Sequence, residues 1–288
     1  MNLEAFVPII AVLLMIIVGT GIIPSQLSAA LRIPGTLAVA TLAQFLLLPL
    51  LALVVILVLR PPPELAGGLL LVAASPGGAL SNYYCLLARL NVALSVTLTA
   101  CSGFAAVAVM PIALAVTARM AVGLEALDVP IADLALRLML FLVLPVGAGM
   151  MLRQLWPAIL RRYDGAIRGL SLCLLALFLA VVVMDQWHGI LDAITDAMLL
   201  TVAFTVLALF TGWLVGYLCG WSDADRAVLA LEFAVRNVAI AAVLALGTFR
   251  QPEFAAFGVL FLLFQLPILI LTMLARRRLK SASPPGGF

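Results

Sequence analysis

Charge is scarce in this chain. Only 10% of its 288 residues are charged, where a soluble domain carries roughly a quarter, and 66% are hydrophobic. That excludes an ordinary water-soluble domain. Histidine is nearly absent too, since His188 stands alone, which removes His-based catalytic sets and histidine-rich metal centres. The four cysteines, Cys85, Cys101, Cys173 and Cys219, form no CxxC pair and fall in apolar runs, so they read as small buried residues rather than metal or redox groups. Lysine occurs once, as Lys280, against fifteen arginines (16 basic residues less one), a bias that fits a GC-rich bacterial genome. No basic stripe with interleaved aromatics exists, so the net charge of +3 is no nucleic-acid footprint.

Long apolar runs are what the chain has. A spanning helix needs about 20 mostly apolar residues. Polar breaks divide the sequence into nine candidates: 4–23, 35–59, 66–88, 93–118, 130–152, 166–186, 195–219, 226–247 and 252–275. Backbone groups in lipid must pair internally, and the period-2 alternation of a barrel is missing, so each run is expected to be helical. The first run lacks a basic leader region and precedes further spans, so it reads as a retained helix. Placing Arg276, Arg277, Arg278 and Lys280 inside puts Arg32, Arg89, Arg153, Arg161, Arg162, Arg168 and Arg226 there as well. Only Arg60, Arg119 and Arg250 fall outside. The positive-inside rule therefore predicts the N-terminus out and the C-terminus in. The expectation is a multi-pass protein of a bacterial inner membrane, with residues 281–288 a disordered cytoplasmic tail.

Two runs carry polar interruptions. The third contains Ser75-Pro76-Gly77-Gly78-Ala79-Leu80-Ser81-Asn82, where proline removes a helical hydrogen bond and adjacent glycines weaken the helix. A simple proline kink is the ordinary alternative, but Ser81 and Asn82 follow at once with no apolar reason to be there. The eighth contains Glu232-Phe233-Ala234-Val235-Arg236-Asn237. Each charge at membrane depth costs at least ~2.5–3.5 kcal/mol, so such residues usually line a cavity or pathway. Paired interrupted segments point to the binding site of a secondary transporter, where half-helix ends suit an anion and freed carbonyls suit a cation.

The PGGALSN run, Asn91-Val92-Ala93-Leu94-Ser95-Val96-Thr97-Leu98-Thr99, the later Glu-x-x-x-x-Asn, and Gln44-Phe45-Leu46-Leu47-Leu48-Pro49 together resemble the bile acid:sodium symporter (BASS/SBF) family, over residues 10–275. The resemblance implies an all-α polytopic fold of nine transmembrane helices with two inverted repeats and two interrupted crossing helices. It implies a transmembrane domain over 1–280, divided into a panel (4–24 and 130–186) and a core (35–118 and 195–275). It places a first sodium site on Ser81, Asn82, Ser95, Thr99 and Glu232. Oxygen ligands suit a hard cation, and Ser95 and Thr99 share a helix face. The ordinary reading, hydroxyls bonded back to their own helix carbonyls, stays open for each singly.

A second sodium site would use Gln44, Glu232, the carbonyls of Phe233 and Val235, and a glutamine where this chain has Arg236. An always-protonated arginine cannot ligate a cation. Three roles stand open for it: a tethered substitute for the ion, a structural bridge to Glu232, or a clamp on a substrate carboxylate. The substrate contacts implied are Gly78, Ala79, Asn237, Gln265 and Arg236, with backbone N–H groups near Gly78–Leu80 as anion donors. Gly19, Gly21, Pro24, Pro34 and Gly35 are hinge candidates.

The expected function is symport of a small organic anion, such as pantoate, a 2-oxo acid or a bile-acid-like anion, with sodium. It needs no other cofactor, and the expected state is a monomer. A sodium-independent or proton-coupled carrier using Glu232 and Arg236 is the alternative. An intramembrane enzyme is remote, because acids within spans reduce to Glu232. Arsenite exporters of the same broad fold use a cysteine-centred site that has no match here.

Overall fold

The computed structural model describes residues 3–22, 34–121 and 128–282. Among these residues everything regular is helical apart from one isolated antiparallel bridge, Gly77 to Arg236. The helices are α1 (Leu3–Gly21), α2 (Pro34–Leu59), α3 (Pro63–Ala74), α4 (Leu80–Leu87), α5 (Val92–Met120), α6 (Ile131–Leu138), α7 (Leu144–Leu155), α8 (Pro157–Arg162), α9 (Asp164–Asp185), α10 (Trp187–Leu218), α11 (Asp223–Ala234), α12 (Val238–Leu244) and α13 (Pro252–Ala282). Two π-helical turns, Met139–Val143 and Ala245–Phe249, join α6 to α7 and extend α12. Among the described residues, six helices are long and apolar enough to cross a membrane, namely those over residues 35–59, 92–120, 131–155, 164–185, 193–218 and 252–276. The third and eighth runs of the sequence are split into shorter pieces.

Local chemistry explains the helix starts. Asn91 caps α5 by accepting from the Leu94 N–H at 3.1 Å, and Ser222 caps α11 from the Asp225 N–H at 3.2 Å. Side chains facing outward on α2, α9 and α10 are largely Leu, Val and Met, including Val58 and Met184, which fits helices bathed in lipid rather than water. Sequence reading put Ser281 and Ala282 in a disordered tail, and α13 instead runs through both. Beyond Pro267, no proline or glycine interrupts the helix through Ala282. Residues 283–288, with Pro24, Arg32 and Glu125, lie outside the described residues.

Packing divides the helices. α1 lies along α7 and α9, whereas α2, α3, α5, α10, α11 and α13 pack among themselves. Gly19 of α1 faces Gly149 of α7 so closely that a methyl group on either would fall on the other helix's backbone. Gly19 therefore serves as a packing surface between helices and not as a hinge, in the manner of small residues at membrane helix contacts. Gly21 and Gly35 have open space around them.

Candidate functional site

The two breaks meet. α3 ends at Ala74 and α4 begins at Leu80; α11 ends at Ala234 and α12 begins at Val238. Between them the unwound strands pair antiparallel: Gly78 N–H donates to the Val235 carbonyl at 2.9 Å, and Asn237 N–H donates to the Pro76 carbonyl at 2.9 Å. Each break thus satisfies the backbone groups the other exposes, as irregular backbone at membrane depth requires. The glycines are needed for proximity. A Cβ at Gly77 would collide with the Glu232 carboxylate, and one at Gly78 would lie 2.6 Å from the Arg236 carbonyl oxygen. Gly77 N–H donates to Ser102 Oγ at 3.0 Å. Because its N–H is bonded to Val235, Gly78 is not the free anion donor the sequence suggested.

Around the Glu232 carboxylate, which is fully buried, the hydroxyls converge. Ser81 Oγ donates to Oε2 at 2.6 Å, Thr99 Oγ1 to Oε1 at 2.7 Å, and Ser95 Oγ to Oε2 at 3.4 Å. Asn82 Oδ1 lies 3.4 Å from Thr99 Oγ1. The five residues predicted from the sequence are therefore brought together from α4, α5 and α11. Thr97, on another face of α5, does the ordinary thing and bonds back to the Ala93 carbonyl at 2.8 Å. Ser95 and Thr99 direct their hydroxyls across to Glu232 instead. The cluster offers four neutral oxygens and one carboxylate, the donor set a hard monovalent cation takes.

Arg236 is 1% exposed and sits beside that cluster. Its Nη1 donates to Gln44 Oε1 at 2.9 Å and to the Glu232 main-chain carbonyl at 3.2 Å, and its Nη2 donates to the Ser75 carbonyl. The guanidinium thus fills a hole walled by three oxygens. The sequence had offered a side-chain bridge to the Glu232 carboxylate; the arginine takes the main-chain oxygen of Glu232 instead, because the carboxylate is turned to the hydroxyls. Arg236 also lines a neighbouring cavity, but its Nη1 and Nη2 donors are taken up by Gln44, Ser75 and the Glu232 carbonyl. Val235, expected to lend its carbonyl to an ion, gives it to Gly78. Phe233 is wholly buried in the same turn.

Gln265 and Asn237 have structural roles the sequence did not disclose. Gln265 Nε2 donates to the Ala234 carbonyl at 2.8 Å, holding the last turn of α11, and the side chain is 1% exposed. Asn237 Oδ1 caps α12 through the Ile240 N–H at 3.2 Å, leaving its Nδ2 with only Met15 Sδ at 3.5 Å, a weak acceptor. Ser75 and Ser102 were not singled out from the sequence. Ser102 was findable, because Ser95, Thr99 and Ser102 repeat at helical spacing on one face.

A cavity of about 290 Å³ opens beside the breaks. Gly78, Ala79, Asn82 and Asn237 form one wall, and α1 and α9 the other; Gln265 does not line it. On the α6 side, Asp133 Oδ2 accepts from Arg137 Nε at 2.7 Å and from Thr248 Oγ1 at 2.9 Å, tying α6 to the π turn after α12.

Comparison with known proteins gives this arrangement its context. The sequence profile of the Sodium Bile acid symporter family matches residues 8–193. A mouse "Sodium-dependent organic anion transporter" is 28% identical over 230 residues, 78% of this chain and 60% of that protein. The human "Hepatic sodium/bile acid cotransporter" is 29% identical over 254 residues, 84% of this chain and 70% of its own length. An Arabidopsis thaliana protein named "Probable sodium/metabolite cotransporter BASS1, chloroplastic" is 28% identical over 227 residues, 79% and 55%. The chain thus spans little more than half the length of the mouse and plant relatives. All three are named as transporters or cotransporters. With paired breaks, a hydroxyl-ringed carboxylate and a matching profile over most of its length, the chain belongs to the Sodium Bile acid symporter family.

Proposed function

We propose that this chain is a secondary active transporter that carries a small organic anion together with one sodium ion by alternating access. The observation that carries the reading is the contrast between two neighbouring oxygen clusters. Around Glu232, the oxygens of Ser81, Asn82, Ser95 and Thr99 converge with no cationic side chain among them. Around Gln44, the Ser75 carbonyl and the Glu232 carbonyl, a cation is already present as Arg236. A sodium ion enters the first cluster by replacing hydroxyl-to-carboxylate hydrogen bonds with ion–oxygen contacts. The second cluster keeps its positive charge permanently.

In this reading nine helices or split helices cross the inner membrane of a bacterium, N-terminus out and C-terminus in. α1, α6, α7 and α9 form the panel, and the remaining long and broken helices the core. The anion binds between them, against Gly78, Ala79 and Asn237. In this reading the contact from Asp133 to Thr248 holds one side of the crevice together while the cavity is open beside the breaks, as one state of a rocking cycle requires. Within the panel, α1 and α7 pack backbone to backbone at Gly19 and Gly149.

The test is uptake into proteoliposomes at fixed pH, with external sodium or potassium. Sodium-dependent uptake with first-order sodium dependence supports the reading. Uptake that ignores sodium and follows a proton gradient assigns coupling to Glu232 as a proton carrier. Ser81→Ala and Thr99→Val should then separate the cases, since they remove ion ligands but leave the carboxylate.

A further inference from the structure

Among the described residues, two arginines line the 290 Å³ cavity, and one of them pairs with a partner that is itself half exposed. Three charged residues line it: Asp164, Arg168 and Arg236. Arg236 has its guanidinium committed to Gln44, Ser75 and the Glu232 carbonyl. Arg168 stands on α9, across the cavity from Asn82 and Asn237, and its Nη2 meets Asp164 Oδ2 at 2.6 Å. Both side chains of that pair are about half exposed, at 51% and 54%. They sit one helical turn apart, and exposed pairs at that spacing are held weakly and exchange readily with other ions.

The rest of the cavity is mostly apolar, with Asn82, Tyr83, Ser171 and Asn237 as its other polar side chains. Met15, Val18, Leu175 and Leu262 line it, while Asn237 Nδ2 on the opposite wall meets, among the described residues, only the weak acceptor Met15 Sδ. The volume lies just under the roughly 300–1,000 Å³ of small-molecule pockets, which favours a small ligand. One movable guanidinium, one under-used amide and an aliphatic wall suit a short branched carboxylic acid. Arginine can grip a carboxylate with two parallel N–H donors, and Arg168 already meets the Asp164 carboxylate through one of them.

We propose that Arg168 is the anion-recognition residue of this transporter, holding the carboxylate of a small aliphatic acid across the cavity from Asn237. Asp164 occupies that guanidinium when no substrate is bound and is displaced by the ligand. The assignment rests on the transport reading above and deepens it by naming the substrate class. It also links the two walls of the cavity, since the ligand touches α9 on one side and the paired breaks on the other.

The experiment is binding to purified full-length protein, followed by thermal shift and calorimetry. The probes are pantoate and 2-oxoisovalerate, the neutral methyl ester of the latter, and taurocholate, each with and without sodium. The expected result is that at least one small carboxylate binds while the neutral ester does not. Arg168→Gln should weaken that binding about tenfold to a hundredfold, the range of a charge-assisted pair. Arg168→Lys should fall between, and Asp164→Asn should tighten it by about twofold, because the competing carboxylate is gone. All three variants should keep the wild-type sodium-induced shift, which also verifies that they are folded. Unchanged affinity in Arg168→Gln overturns the proposal, as does binding of taurocholate in preference to both small acids, or binding of none of the probes. Loss of the sodium shift in wild type sinks the sodium reading alone, and the carboxylate arm still decides Arg168.

Discussion

If the proposed one-sodium coupling holds, replacing Arg236 with glutamine should turn the protein into a two-sodium carrier. The arginine donates to three buried acceptors, Gln44 Oε1, the Ser75 carbonyl and the Glu232 carbonyl. Each buried acceptor left without a donor costs about 1–3 kcal/mol. A glutamine amide has two N–H donors and a shorter reach, so at least one acceptor stays bare, leaving the variant ~1–3 kcal/mol less stable in potassium. Sodium can repair this by entering the vacated oxygens, and the local charge returns to its wild-type value. Stabilisation by a bound ion grows as RT ln(1 + [L]/Kd), about 1.4 kcal/mol per tenfold rise in concentration above Kd. Thermal or chemical unfolding against sodium should therefore show about 1.4 kcal/mol per decade in wild type and about 2.8 in Arg236→Gln. The Hill coefficient for sodium in uptake should rise from about one toward two. A variant that loses stability but keeps the wild-type sodium slope refutes ion substitution. Loss of anion binding with the slope unaltered makes Arg236 a substrate residue instead.

Gly77→Ala should remove the sodium-induced shift, since its methyl group lands on the Glu232 carboxylate; unaltered sodium stabilisation would show that the break can relax. Thr99→Val removes a 2.7 Å bond to that carboxylate and should raise the half-saturating sodium concentration about tenfold, read from uptake kinetics. Thr248→Val unties the π turn from Asp133, and backbone hydrogen exchange over 245–250 should speed up by about fivefold, the equivalent of ~1 kcal/mol. Arg250 ends the same turn in the left-handed region at φ 53°, so Arg250→Gly should stabilise the protein by ~1 kcal/mol in chemical unfolding; a loss of stability would mean that its side chain holds the turn.

What was legible in the sequence depended on whether the signal was local. The first break could be read from Pro76-Gly77-Gly78, because proline and glycine interrupt a helix by themselves. The second break has neither residue. Val235, Arg236 and Asn237 leave the helix because their main chain pairs with Pro76 and Gly78, a tertiary cause that showed only as misplaced polarity. The residues around Glu232 were likewise visible as oxygen-bearing types with no apolar purpose. Contacts made by one-sided partners were not visible. Nothing local says that the Ser75 carbonyl receives a guanidinium, that Gln265 braces Ala234, or that Gly149 answers Gly19. Arg168 counted only toward orientation, since its place on the cavity wall depends on how α9 stands against the breaks.

In the proposed one-sodium cycle, a tethered charge in place of an ion also alters what drives transport. Arg236 crosses no net distance over a complete turnover, because it returns with the helices that carry it. One sodium ion with a monovalent anion then moves no net charge, and the membrane potential contributes nothing. A two-sodium cycle moves one positive charge and gains ~2.3 kcal/mol for each 100 mV. The neutral cycle can concentrate its anion only as far as the sodium gradient allows, about tenfold for a tenfold gradient. It runs backward as soon as the anion exceeds that ratio. Wild-type uptake should accordingly be indifferent to a potassium–valinomycin potential, while Arg236→Gln should respond to it. The electrical behaviour thus follows from a single side chain whose positive charge is part of the protein instead of the cargo.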